Sequence, residues 1–246
     1  MSAAVARVLR WSAWSAGREH REDWERWARA PEPLAGGGHP DAAFLPAMLR
    51  RRCTPLTRTV LTAAFDCLAP DERDAVRSVF ASRHGGLNES IELLENVARG
   101  ERISPAKFSH GVHNAQAALF ALATGNRFAS SSLAAGPDSF ACGWIEALAH
   151  LEREPARRVL CVMADVVVSP VFADLVSEPS GSYAVALLLG RGGERSDPAP
   201  EIAFEVRRGA PVAPRAWPDA LEFLRWLLGE EAALELGRFR WSRQVW

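Results

Sequence analysis

The run Val159–Val168 (VLCVMADVVV) constrains this chain more than any other stretch. It is far shorter than the roughly 18 apolar residues that span a bilayer, and its β-branched side chains favour a strand over a helix. A strand apolar on both faces belongs in the middle of a sheet covered on both sides by helices. Around it, Val5–Trp11, Ala75–Ser82, Arg127–Ser132 and Tyr183–Leu189 read as four further strands, with helical patterns between the first four strands of the chain. Such alternation argues for an α/β sheet.

Local signals place several helices. Asn88 is the expected N-cap of a helix reaching Arg99, with Ile91, Leu94, Val97 and Ala98 on one face. A helix over about 111–123 ends at Thr124-Gly125, where glycine suits a C-cap. Asp138 or Ser139 opens another, running to about Arg153. The stretch 43–68 is helical but interrupted at Pro46 and Pro55, and a Trp-rich charged segment (Trp14, Trp24, Trp27) has amphipathic helical spacing. Later, Ile202–Val206 reads as an edge strand, Ala220–Leu228 as a helix, and Arg238–Trp246 as a short segment aromatic at both ends. We expect one domain over 1–246, with a core over about 1–192 and a C-terminal extension over about 193–246.

The function classes narrow by composition. A net charge of -1 gives no global reason for nucleic acid or an anionic membrane as partner. Arg50-Arg51-Arg52 is a local basic run, suited equally to a solvated helix end and to an acidic acyl carrier protein. Cys53, Cys67, Cys142 and Cys161 show no metal-ligand spacing and no disulfide framework, and read as reduced thiols. His110 and His113 stand a helical turn apart with no third ligand at sensible spacing, so no metal and no cofactor is expected. Gly36-Gly37-Gly38 lacks the Lys-Ser/Thr ending of a phosphate loop. Asp165 reads as a strand-end carboxylate. The N-terminal residues lack the features of a signal peptide, and the expectation is a soluble, cytoplasmic protein.

The informative stretch is Phe108–Phe140, FSHGVHNAQAALFALATGNRFASSSLAAGPDSF. A helix leads into a short strand of small residues, which turns through Ala134-Ala135-Gly136 into another helix. Such a junction holds one side chain at the positive end of a helix dipole, where backbone N–H groups favour a thiolate and an oxyanion. The segment resembles the nucleophile region of β-ketoacyl synthases, in which Thr-Ala-Cys-Ala/Ser-Ala/Ser-Gly stands at this junction. The match sets Leu133 at the cysteine position. Residues 50–54, 79–86 and 159–167 resemble the flanking synthase segments.

The resemblance implies a thiolase-like half-fold, a mixed five-stranded sheet between helical layers. It implies that Arg127, Phe128, Ala129, Ser130, Ser131 and Ser132 form the strand that pairs across a dimer axis. It further implies a catalytically silent protein, because leucine replaces the nucleophile and the histidines of the second half-fold are not in this sequence. The pattern is similar to the chain length factors of aryl-polyene type pathways, silent partners of a β-ketoacyl synthase. In that role Gln116, Leu119 and Phe120 are candidates for closing the acyl tunnel. The alternative is a small acyl-handling enzyme, a decarboxylase or thioesterase using Ser132 or Cys142. Ser131 and Ser132 lack a Gly-x-Ser-x-Gly elbow, and no histidine is expected to serve them as base in the usual hydrolase order.

Overall fold

The computed structural model describes residues 4–176, 181–191, 200–207 and 216–244. The strands are β1 (Ala4–Ser15), β2 (Arg77–Ala81), β3 (Ser130–Leu133), β4 (Val159–Asp165), β5 (Tyr183–Gly190), β6 (Glu201–Val206), β7 (Ala233–Leu236) and β8 (Phe239–Arg243). They form one mixed sheet in the order β3-β2-β4-β5-β1-β6-β8-β7. β2 runs parallel to β3 and β4, and the remaining pairs are antiparallel.

The first five strands in that order are the five read from sequence, with β4 at their centre and every residue of β4 buried. The sheet does not stop there. β6 is not the edge strand that its sequence suggested, because β8 pairs along its outer side with Phe204 opposite Trp241. Three strands therefore extend the expected five-stranded sheet to eight.

The helices are α1 (Arg21–Arg29), α2 (Ala47–Arg50), α3 (Pro55–Cys67), α4 (Leu87–Ala98), α5 (Pro105–Gly111), α6 (Ala115–Thr124), α7 (Ser139–Arg153) and α8 (Asp219–Leu228). Pro55 begins α3, where its missing N–H costs nothing, and the Thr54 hydroxyl caps the Thr57 N–H at 3.2 Å. α6 ends at Gly125 in the left-handed conformation, as its sequence predicts. Asn88 is not a cap. It lies in the first turn of α4, donating to the Val167 carbonyl at 2.9 Å and accepting from the Ser169 N–H at 2.8 Å.

Alternation along the central strands fills two separate cores. Val159, Cys161 and Met163 face α7, joined by Val185, Leu187 and Leu189 of β5. Leu160, Val162 and Ala164 face α3 and α6, with Ala184, Ala186 and Leu188. The α7 side is closed by residues from both ends of the chain. Trp24 and Trp27 of α1, Phe223 and Trp226 of α8, and Phe239 and Trp241 of β8 are all buried there. Phe140 and Trp144 of α7 lie 5.1 Å from the Phe223 ring, and Phe140 lies 5.7 Å from Trp241. The C-terminal segment thus covers the face of α7, as far as residues 239 and 241 are concerned; Trp246 lies outside the described residues.

Candidate functional site

β3 is an outer strand of the sheet, paired on one side only, through Ser78↔Ser130 to Ala81↔Leu133. Its entry is set by Asn126, which the sequence did not single out. This buried amide donates to the carbonyls of Arg73 (3.0 Å) and Val76 (2.7 Å) and accepts from the Phe128 N–H (2.8 Å). The strand proper starts at Ser130. Arg127, Phe128 and Ala129 form an exposed approach to it, with Arg157 stacked over the Phe128 ring at 4.2 Å.

Leu133 ends β3, half-buried and packed against the α7-side core. Its carbonyl accepts from the Ser82 N–H at 3.2 Å. Gly136, at φ +57, takes the left-handed conformation that the sharp turn requires, and a short 3₁₀ turn (Gly136–Asp138) leads into α7. The fully buried Ser139 fastens this elbow. Its hydroxyl accepts from the Ala135 N–H at 3.0 Å and donates to the Gly136 carbonyl at 2.7 Å. The Ala135 N–H is therefore taken up inside the turn rather than offered to an anion. Asp138 stands as N-cap residue of α7 and already supplies negative charge at the positive end of the dipole.

Beneath β3 lies a polar cluster. Ser131 Oγ donates to Glu146 Oε1 at 2.6 Å, and His150 Nε2 lies 3.4 Å from Ser131 Oγ and 3.5 Å from Glu146 Oε1. A histidine thus does follow Ser131 and reaches it, contrary to the expectation from sequence; Glu146 and His150 share one face of α7 at i,i+4 spacing. The arrangement is not a catalytic triad. Nη1 of Arg77 sits 3.3 Å from His150 Nδ1, and a guanidinium only donates. Nδ1 must accept, so the proton of the neutral ring is on Nε2, the nitrogen that a base would need free. Burial, with Arg77 and Arg153 adding to it and Glu146 opposing, holds the His150 pKa below its usual value.

The thiols are equally unprepared. Burial pushes Cys67 and Cys161 up to about 12. Cys142, part-way exposed in the first turn of α7, is also raised, by burial and then by Asp138. A thiolate nucleophile needs the opposite.

Asp165 is more than a strand end. Fully enclosed, it accepts from Ser82 Oγ (2.7 Å), His84 N–H (3.0 Å), Arg83 N–H (3.2 Å) and Tyr183 Oη (3.4 Å), fixing the turn after β2. His110 and His113 lie on opposite sides of the end of α5, and among the described residues no group of three His, Cys, Asp or Glu side chains is placed to hold a metal. Arg51 and Arg52 are exposed after α2, and Arg52 is near enough to His110 to help lower its pKa, after burial.

The tunnel candidates all lie on α6 and are buried. Leu119 and Phe120 belong to the α3-side core, where Phe120 meets Phe80 at 5.6 Å and Phe65 at 6.3 Å. Gln116 is the buried polar residue among them.

An α/β sheet whose outer strand turns through a glycine elbow into a buried helix defines the thiolase type of half-fold. The chain belongs to the family of β-ketoacyl synthase N-terminal domains, which it matches over residues 24–246. Its structure is similar to a chain of the complex of a ketosynthase (ApeO) with its chain length factor (ApeC) from Xenorhabdus doucetiae. The TM-score is 0.76 and the identity 26%, and the match covers 100% of both chains. It is also similar to the ishigamide ketosynthase/chain length factor (TM-score 0.63, 16% identity, 83% of this chain and 68% of that one). A third likeness is to a β-ketoacyl synthase from Burkholderia phymatum (TM-score 0.57, 13% identity, 87% and 67%). No curated protein sequence matches the chain. Among the described residues no helix is long and apolar enough to cross a membrane.

Proposed function

We propose that this chain is a catalytically silent, chain-length-factor-like partner of a β-ketoacyl-acyl carrier protein synthase, in fatty acid or polyketide biosynthesis of the aryl-polyene type. The observation that carries this reading is Leu133, an inert side chain at the elbow where the family places its nucleophile. The elbow around it supports the same reading, since Ala135 N–H is consumed by Ser139 and Asp138 faces the helix dipole. An acyl-enzyme through Ser132 or Cys142 is disfavoured: burial and then Asp138 raise the Cys142 pKa, and among the described residues Ser132 Oγ has no hydrogen-bond partner to act as base.

The heterodimer forms at the open edge of β3, whose small side chains allow close approach of a second strand. The similarity to a chain of a ketosynthase–chain length factor complex supports a heterodimer of this kind. Within it the chain acts sterically, its side chains flooring the partner's acyl tunnel, so that each methylene admitted or excluded changes binding by about 0.8 kcal/mol. Gln116 is the first candidate, because Leu119 and Phe120 have apolar partners within their own core.

Co-expression with a ketosynthase from the same organism tests the proposal. We expect a 1:1 complex by native mass spectrometry that makes β-ketoacyl products, and no product from this chain alone. A well-behaved chain that ignores the ketosynthase would refute the reading.

A further inference from the structure

The edge strand β3 is tied to α7 by a relay of polar side chains that runs through one titratable ring. His150 is only 7% exposed. On its Nε2 side stand Ser131 of β3 and Glu146 of α7, at 3.4 and 3.5 Å. On its Nδ1 side stands Arg77 of β2, at 3.3 Å. Arg77 also pairs with Glu154, just past the end of α7, and Glu154 in turn holds Arg157 at 2.5 Å. Arg157 is the cation stacked over the Phe128 ring, on the approach to β3. The relay therefore starts at one residue of the edge segment, Ser131, and returns to another, Phe128.

Only a neutral ring fits this relay. With its proton on Nε2, the imidazole donates toward Ser131 and Glu146 and accepts from Arg77. A second proton can go only on Nδ1, where it would face a guanidinium that has nothing but donors. The charges that act on the ring are Arg77 and Arg153 of one sign, Glu146 and Glu154 of the other. A charged ring draws Glu146 toward itself and pushes Arg77 away. The first competes with the 2.6 Å bond that Ser131 donates to Glu146. The second loosens the Arg77–Glu154–Arg157 run that ends at Phe128. Both effects fall on the segment whose outer side is open to a partner strand.

We propose that His150 is a pH-sensitive switch beneath the β3 edge, keeping the strand ready for its ketosynthase while the ring is neutral and releasing that partner when the ring gains a second proton. The proposal rests on the heterodimer reading above. Because burial and the two arginines oppose the charged ring, release falls below the ordinary histidine value of about 6.5.

The test is the affinity of the chain for a ketosynthase from the same organism at pH 7.5 and 5.5, corrected for the fraction of each protein unfolded. Wild type should weaken several-fold, with a ceiling of about tenfold for one proton taken up below about 6.5. His150→Gln, whose side chain does not titrate, should change by less than about twofold. Linkage supplies a second reading that needs no variant: if protonation releases the partner, the partner must in turn keep the ring neutral to lower pH. The His150 titration, followed by imidazole nitrogen NMR, should therefore move to lower pH in the complex. An unmoved titration, or equal pH dependence in wild type and His150→Gln, would overturn the switch and leave the heterodimer intact. A chain that does not bind the ketosynthase at pH 7.5 would overturn both.

Discussion

Arg238, in the turn between β7 and β8, donates Nη2 to Asp138 Oδ2 at 2.8 Å, holding the C-terminal hairpin against the elbow that follows Leu133. The elbow is thereby closed by this chain's own residues. Leu133→Cys restores a thiol but neither a free Ala135 N–H nor a base. We expect no β-ketoacyl product from the purified variant in an assay without partner, and any such product would argue against a silent site. The clasp itself is solvent-accessible on both sides, so Arg238→Ala should change stability by less than about 1 kcal/mol in chemical denaturation.

His150 gives the fold a defined pH response. Burial lowers its pKa in the folded chain, so protonation favours the unfolded state. The stability it lends is complete above the unfolded value of about 6.5 and is lost as pH falls through that value toward the lower folded one. Urea midpoints measured from pH 7.5 to 5.5 should decline in wild type, and the decline should be shallower in His150→Gln. Parallel curves would mean that the imidazole is not held neutral.

Asn126 makes three hydrogen bonds from a buried position, all at the entry to β3. Asn126→Ala leaves two carbonyls and an N–H without these partners and should cost about 2–3 kcal/mol. If the strand is the pairing edge, ketosynthase binding should weaken beyond what the fraction unfolded explains.

Phe120 and Gln116 separate packing from tunnel closure. Phe120→Ala removes a ring lodged between Phe65 and Phe80 and should lose about 3–5 kcal/mol, with product length unchanged. Gln116→Ala should do the reverse, lengthening products of the complex with little loss of stability. Unchanged lengths in both variants, and in Leu119→Ala, would remove α6 from chain-length control.

These expectations trace how far the sequence could be read. The strand–elbow–helix segment was legible because its signals are local: Gly125 as C-cap, Gly136 at the turn, Ser139 at the helix start. The strands β7 and β8 were not, since Ala233–Leu236 and Phe239–Arg243 are short and mix charged with aromatic residues. Their strand character comes from pairing with each other and with β6. Spacing set Ile91, Leu94, Val97 and Ala98 on one face of α4, but the residue that α4 buries is Leu93, while Leu94 and Val97 are exposed. Ser131, Glu146 and His150 meet only because β3 lies over α7. Glu146 and His150 at i,i+4 were the one trace of that in the sequence.

The closure of the α7 face sets an order of events during synthesis. Trp27 of α1 lies 5.3 Å from Trp217, and Trp241 is fully buried beside Trp144. The core around Trp27 and Trp144 therefore seals only once residues far along the chain, Trp217 and Trp241, have been made. The start of α4 waits in the same way, since Asn88 bonds the Val167 carbonyl and the Ser169 N–H.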